Sequence, residues 1–428
     1  MPKLPPLRSS AAYYLGVLTI GIVLARFAGY LSPTEALLKG QPAIIVAFFC
    51  FFGVAAVAWL LLERRAHARG WLLGFLIAMS CVWVVQLWLY RLHGDSFNYT
   101  ALLFVPILAM VALKPPRASE AWTAVLAFAW TTSAVLVLTR ALEMLHVIDL
   151  KAQDPNIITF DDARYWLPLN DWLGIDGRWP GPFGHNGDTA MLGALLIVIA
   201  VARWTWVSYV FIPVGVFTLL ITAGRASEGA AAAGIVVIFM FARSGWPTRI
   251  PRRWRVVGGA LALLVGALAM YSGKSGLTGR QTIWPAFFDL WQTSPITGVG
   301  GSGITVSGGI TQQFGHAHSL YLDELARHGL IAFIVLFTAL GLGLVIAVRA
   351  AGRGAPGPLA VLVAYFVTGV TEPRNNWIEP SVTGFLVTLM VIAAAVELSE
   401  ARGTNQPYSV SGRSVEAKRP PVNRSTTP

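Results

Sequence analysis

From Gly329 to Val348 the chain reads GLIAFIVLFTALGLGLVIAV, without one charged side chain. About 20 helical residues cross the hydrocarbon core of a bilayer, so a run of this kind reads as a membrane span. Runs of comparable character recur at roughly 11–31, 42–62, 71–90, 98–113, 121–139, 188–202, 205–222, 228–242, 256–271, 329–348, 358–371 and 381–398. One buried soluble core has no use for so many. Within lipid each backbone polar group must find its partner inside its own segment, which leaves helices as the form these continuous apolar runs can take. Composition agrees: 55% of the 428 residues are hydrophobic and only 12% are charged, against about 25% charged in a soluble domain. The pattern predicts an all-α polytopic membrane protein with about twelve spans.

The formal charge of +11 and the isoelectric point near 9.9 would fit a nucleic-acid binder if the basic residues formed one patch. They follow topology instead. With the N-terminus in the cytoplasm, most of them fall in the inside segments, Arg64, Arg65, Arg203, Arg253, Arg349 and Arg353 among them. An excess of Lys and Arg on one side fixes orientation, so both termini are predicted to be cytoplasmic. The first apolar run is too long for a signal-peptide core and lacks a small-residue cleavage site, so it reads as a retained span. Cys50 and Cys81 both fall in predicted spans as small buried thiols and offer no disulfide framework. Arg26 and Arg140 sit toward span ends, where snorkelling accounts for them. The membrane unit is predicted over 1–402, and the polar tail 403–428 has the composition of a disordered segment.

Two connections are long, at about 143–187 and 272–328, and both fall on the outer face. The first carries Tyr165, Trp166, Trp172, Trp179 and Phe183; such aromatics anchor loops at the membrane interface or stack on sugar rings. Its acids Asp161, Asp162, Asp171 and Asp176 read as solvated, and no Asp-x-Asp metal pattern occurs in the chain. In the second loop Thr278 is a plausible N-cap. Ile283, Trp284, Phe287, Phe288 and Trp291 then recur at helical spacing, predicting a short helix on the membrane surface. Gly298 to Gly303 match G-x-G-x-x-G formally, but that fingerprint requires a βαβ unit. A flexible turn is the expectation here.

Three outer-face features resist a purely structural account. Arg225 lies in a very short hairpin between apolar runs, where an ionisable group is costly unless paired or useful. With Ser227 as a cap for the next helix, a guanidinium beside helix amides makes a natural phosphate site; the alternatives are a salt bridge to Glu228 or snorkelling. Arg280 begins the surface helix and offers a second cation, or is a solvated loop arginine. If residues 318–328 are helical, His318, Leu322 and Leu325 share one face, with Asp323, Glu324 and Arg327 elsewhere on the turn. Histidine suits proton transfer near neutrality. His318 also reads as structural, or as half of a zinc site with His316, although no H-x-x-x-H or H-E-x-x-H pattern accompanies it.

His318-Ser319 through Gly329 forms H-S-x9-G, which resembles the signature of the O-antigen ligase family. GRQTIWPAFFDLWQTSPITGVGGSG resembles that family's block of an Arg, a surface helix, then Pro and a Gly-Val-Gly turn. ITAGRASEGA resembles its Ser/Gly-Arg-Gly block, and FGHNGDTAMLGALL its F-x-H-x-N lead into a helix. The likeness covers roughly 180–400, with Ala332 and the adjacent His185-Asn186 pair departing from the usual pattern. It implies a fold like the glycosyltransferase C superfamily and a metal-free, nucleotide-free enzyme of the bacterial inner membrane with a periplasmic site. Such an enzyme moves O-antigen from undecaprenyl diphosphate to lipid A–core oligosaccharide. Carried onto this chain, the resemblance makes His318, Arg280 and Arg225 catalytic. It adds His185, Asn186, Ser319 and Trp284 to the two arginines as substrate contacts.

The chemistry of such a donor fits these residue types. Breaking the sugar–phosphate bond concentrates charge on the leaving diphosphate. Arginine matches phosphate through its forked donors when no metal pattern is present. Nucleic acid is not an expected partner. An O-antigen polymerase or a protein oligosaccharyltransferase would use the same donor. A transporter would require polar breaks at mid-span in symmetry-related halves, and no convincing internal repeat is visible.

Overall fold

The computed structural model describes residues 70–94, 115–148, 179, 181–183, 186–222, 224–243, 246–251, 280–370 and 382–404. Isolated positions at 16, 19–21, 108, 111–112, 253–254 and 257 are described as well. Among the described residues there are helices and loops and no strand. In chain order the helices are α1 (Trp71–His93), α2 (Ala118–Met144), α3 (Asn186–Ala202), α4 (Ser208–Thr222), α5 (Arg225–Phe241), α6 (Arg280–Thr293), α7 (Gly300–Val306), α8 (Gly309–Phe314), α9 (Leu320–Gly352), α10 (Gly357–Gly369) and α11 (Val382–Thr404). A short 3-10 turn, Trp246–Arg249, follows α5.

α1, α2, α9 and the Val382–Glu400 part of α11 are long and apolar enough to cross a membrane; α3, α4 and α10 are shorter apolar helices. The expected spans at 71–90, 121–139, 188–202, 205–222, 228–242, 329–348, 358–371 and 381–398 thus coincide with helices. Those at 11–31, 42–62, 98–113 and 256–271 lie almost wholly outside the described residues. The tail 405–428 lies outside them too.

The ends of these helices follow from local chemistry. α1 stops at Gly94, whose left-handed backbone turns its N–H onto the Tyr90 carbonyl. α2 opens on a capping box, the Glu120 carboxylate accepting the Arg117 N–H at 2.9 Å. Across the bundle, Glu400 accepts the Ala118 N–H at 3.0 Å, and Glu397 accepts the Trp122 indole N–H at 2.8 Å, tying α2 to α11.

α3 is the axis of the main core. Its residues from Thr189 to Val201 are all buried, as expected of a helix that is apolar on every side. α4, α5 and α10 pack around it. The α3–α4 crossing is close because glycines face each other: a Cβ on Gly215 would stand 2.6 Å from the Gly193 carbonyl oxygen. Small residues at such crossings let backbones approach and gain dispersion contact in a bilayer.

α1 and α9 lie at the rim. Buried residues make up 41% and 39% of their apolar windows, against 94% for α11. On α1 the outward stripe is Leu73, Ile77, Val84, Trp88 and Leu92; on α9 it is Leu330, Ile334, Val345 and Val348. Stripes this apolar and continuous require a nonaqueous neighbour. Cys81 stands on the exposed side of α1 rather than buried, since its face of the helix is turned to the rim.

A smaller module sits against α9. There Ile283, Phe287, Ile304, Ala317 and Ala326 form a core of their own, with α6 and α7 packed on α9 and α8 on both. α9 kinks at Gly329, where φ is 68° and ψ is −172°. Before the kink Leu322 and Ala326 pack into the small module while Leu320 joins the main core, and the apolar span follows the kink.

Candidate functional site

The helix starts of the predicted site converge by way of their neighbours. α5 begins at Arg225 after Gly224, whose Cα lies so close to α3 that a Cβ would come within 3.0 Å of the Ala190 side chain. Ala190 is one turn into α3, which starts at Asn186. The next residue, Met191, accepts a hydrogen bond from Thr368 near the end of α10. Gly369, closing α10, lies 3.2 Å (as a Cβ) from the Leu320 side chain, and the Tyr321 hydroxyl donates to the Phe366 carbonyl at 2.8 Å. The starts of α3, α5 and α9 therefore share one end of the bundle, bringing Asn186, Arg225 and the His318–Ser319 turn to the same end. Arg280 begins α6, one turn before Ile283, in the small core that also holds Ala317. His185 and Thr278 lie outside the described residues.

Each residue has a local setting. Arg225 is half-buried at the first position of α5 with Glu228 in the same turn. Ser227 is not the cap: it is 1% exposed inside the helix, and Gly224 occupies the cap position without a side-chain bond. The helix starts three residues earlier than a Ser227 cap requires, with Gly224 passing against Ala190. Asn186 turns its amide oxygen back to accept the Gly187 N–H at 3.0 Å. Trp284 is half-buried one turn from Arg280. Its indole N–H, a donor only, is buried and finds no acceptor among the described residues.

His318 departs from the helical expectation. α9 begins at Leu320, Ser319 holds the cap position in extended conformation (φ −155°, ψ 124°), and His318 precedes both. Its φ of 49° makes it one of two non-glycine residues with positive φ among those described, with His146. Such a conformation costs about 1–3 kcal/mol and persists where surroundings over-determine it, most often at functional turns. The His318 ring meets the His316 ring edge-on, with centroids 4.2 Å apart. Ser319 is 6% exposed. Asp323 and Glu324, expected away from the bundle face, are both buried.

The glycine turn is a rigid joint rather than a flexible loop. Gly298 has φ 72°, and a Cβ there would fall within 3.0 Å of the Arg327 carbonyl and the His328 amide nitrogen; a Cβ on Gly329 would meet Ile296 and Gly298 backbone as closely. The two backbones are stitched by Val299 N–H to the Ala326 carbonyl at 2.9 Å, Leu330 N–H to Pro295 at 2.9 Å and Ile331 N–H to Ile296 at 3.2 Å. From Gly300 the glycine run enters α7. The joint extends to α1: a His93 ring nitrogen lies 2.9 Å from the Thr297 carbonyl.

Further polar groups carry weight that the sequence did not single out. His328 and Glu324 form a buried pair, Nδ1 to Oε2 at 2.9 Å, with side chains 5% and 0% exposed. The His328 ring rests against Tyr90 at 5.6 Å. Arg140 does not snorkel: it is 7% exposed and bridges Glu143 at 3.2 Å. That carboxylate also accepts the Trp179 indole N–H, and the Trp179 amide donates to the Ile221 carbonyl at 3.0 Å. Trp179 and Phe183, expected at an interface or under a sugar, are instead 1% and 3% exposed. They fix the end of the first long loop beside the α4–α5 turn. Tyr165, Trp166, Trp172 and the loop acids at 161, 162, 171 and 176 lie outside the described residues.

Other arginines lie at the far end of the bundle. Arg203 stacks over Trp122 and Arg349 over Trp71, each 4.2 Å from the ring centre, and Arg353 donates to the Leu398 carbonyl at 3.2 Å. Among the described residues no group of three His, Cys, Asp or Glu could hold a metal ion. No protein-family model matches the chain, and no curated protein matches it.

Proposed function

We propose that this chain is a polytopic inner-membrane glycosyltransferase of about twelve spans, of the O-antigen ligase type. It transfers a finished glycan from undecaprenyl diphosphate to a sugar hydroxyl of lipid A–core at the periplasmic face. The observation that supports this most is the shared end of α3, α5 and α9, where Asn186, Arg225 and the left-handed His318 turn stand together. Helix N-termini favour anions, and an arginine at such a start adds forked donors matched to phosphate. The exposed apolar stripes of α1 and α9 support a setting in lipid, where a polyprenyl donor would present its diphosphate.

In this reading His318 takes the proton of the acceptor hydroxyl as that oxygen attacks the anomeric carbon. The carbon–oxygen bond to the diphosphate breaks, the electron pair leaves on undecaprenyl diphosphate, and the anomeric configuration inverts. Arg225 and Arg280 meet the charge that grows on the leaving oxygen. Loss of one such donor costs about 10²–10³ in rate. Trp284, whose indole N–H has no partner among the described residues, Asn186 and Ser319 are the proposed sugar and phosphate contacts, with His185 added by the resemblance alone.

A lipopolysaccharide gel of a deletion strain tests the assignment. The ligase reading expects loss of the whole capped ladder, with lipid-linked polymer accumulating and restored by the intact gene. A surviving core plus one repeat would make the chain a polymerase, and an unchanged ladder would remove it from this pathway.

A further inference from the structure

The loop that carries His318 is held by two side chains from the helix it precedes. Asp323 lies in the first turn of α9 and is 5% exposed. Its Oδ1 accepts the Ala317 N–H at 3.0 Å, and its Oδ2 accepts Arg327 Nε at 2.7 Å. Arg327 reaches on to the Gly315 carbonyl through Nη2. The Asp323 amide closes the helix start on the Ser319 carbonyl at 2.9 Å. One carboxylate thus fastens the residue before His318, and its guanidinium partner fastens the residue three positions before it. Ala317 is fully buried and Ser319 nearly so, which leaves His318 as the half-exposed residue between two fixed neighbours.

We propose that Asp323 and Arg327 are positioning residues, a carboxylate–guanidinium clamp that forces His318 into its left-handed conformation and so aims its imidazole. The inference rests on the transferase reading for what His318 does, and on the contacts above for what holds it. A histidine relaxing to ordinary negative φ swings its ring by several ångströms. Misplacement of a reacting group by about 1 Å can cost 10²-fold in rate. The Asp323–Arg327 spacing of i, i+4 is the favourable acid-first order on a helix. Asp323 is buried, Arg327 half-buried, and both contact loop backbone, so their work is geometric rather than that of a solvated surface pair.

The test is steady-state transfer by the purified full-length chain in proteoliposomes, with undecaprenyl-diphosphate-linked glycan as donor and lipid A–core as acceptor. Asp323→Ala is expected to lower kcat about 100-fold with the donor KM within about twofold, because the diphosphate contacts are untouched. Asp323→Asn keeps an amide oxygen for the Ala317 N–H and is expected to recover much of that loss. Arg327→Gln removes the guanidinium from both the Gly315 carbonyl and Asp323 Oδ2 but leaves Asp323 Oδ1 on the Ala317 N–H, and is expected to fall between them. Diethyl pyrocarbonate labelling of His318, read by peptide mass spectrometry, is expected to quicken in the order wild type, Asp323→Asn, Asp323→Ala. If Asp323→Ala does not fold, the Asp323→Asn and Arg327→Gln pair carries the same comparison. An inactive His318→Ala beside fully active clamp variants overturns the clamp and leaves the transferase reading standing. A fully active His318→Ala overturns that reading itself. Clamp variants whose KM and thermal stability change together with kcat, with no change in His318 labelling, make the pair merely structural and also overturn the proposal.

Discussion

Replacing Gly329 with alanine attacks the joint between the small module and the α9 span. Gly329 combines φ 68° with ψ −172°, a region that only glycine occupies readily, so a side chain there costs about 1–3 kcal/mol in backbone strain. The new Cβ also collides with Ile296 and Gly298 backbone rather than with a side chain that could turn away. Relief requires the two strands of backbone to part. That puts at risk the hydrogen bonds from Val299, Leu330 and Ile331, each worth about 0.5–1.5 kcal/mol net. Together these give roughly 2.5–7.5 kcal/mol, with relaxation bringing the expected value toward the lower half. The internal control is Gly341 on the same helix, where a Cβ meets nothing within 4 Å. Alanine there is expected to be neutral or to gain about 0.5–1 kcal/mol, as for any glycine inside a helix. Thermal unfolding of the two variants in one detergent, followed by tryptophan fluorescence, measures the difference. Equal midpoints for Gly329→Ala and Gly341→Ala would refute the argument, since both then behave as ordinary helical glycines.

His328→Ala is expected to destabilise more than Glu324→Ala. The first leaves a fully buried carboxylate alone, at about 3–5 kcal/mol; the second leaves an imidazole able to go neutral, nearer the 1.5–3 kcal/mol of a lost charged hydrogen bond, and the same melts rank them. Trp179→Phe keeps an aromatic ring but removes the donor to Glu143 and the second ring of the buried indole. About 1.5–3 kcal/mol is expected to be lost, with proteolysis of the 143–187 loop accelerated. Arg225→Ala and Arg280→Ala are each expected to reduce transfer about 10²–10³-fold in the proteoliposome assay while leaving the melt near wild type.

Much of the helical layout was legible because continuous apolar runs need no partner to declare themselves. The stretch from 188 to 202 reads as an apolar span and is a helix, though its burial on every side appears only in the structure. What escaped depends on residues far apart in the chain. The role of Gly298 appears only once Arg327 and His328 lie against it, so a glycine run looked like a loose turn. Trp179 looked like an interfacial aromatic because its partners, Glu143 and Ile221, stand at distant positions. Arg140 is the exception, since its partner Glu143 is only three positions on; what escaped there was that the pair is buried against Trp179. Periodicity put His318 on a helix face, but nothing local announces a left-handed residue just ahead of a cap. The Glu324–His328 spacing of i, i+4 was visible, yet its burial comes from Tyr90 and the neighbouring module. The H-S-x9-G spacing itself acquires a physical meaning: it joins the turn that presents His318 to the glycine that lets α9 bend.

The most direct measurement is glycan transfer by the purified chain in proteoliposomes containing EDTA, comparing wild type with His318→Ala. The account predicts inversion-specific transfer to lipid A–core by the wild type and none above background by the variant, with donor binding retained. Transfer by both proteins alike, or activity in the wild type that appears only when a divalent ion is restored, would contradict it.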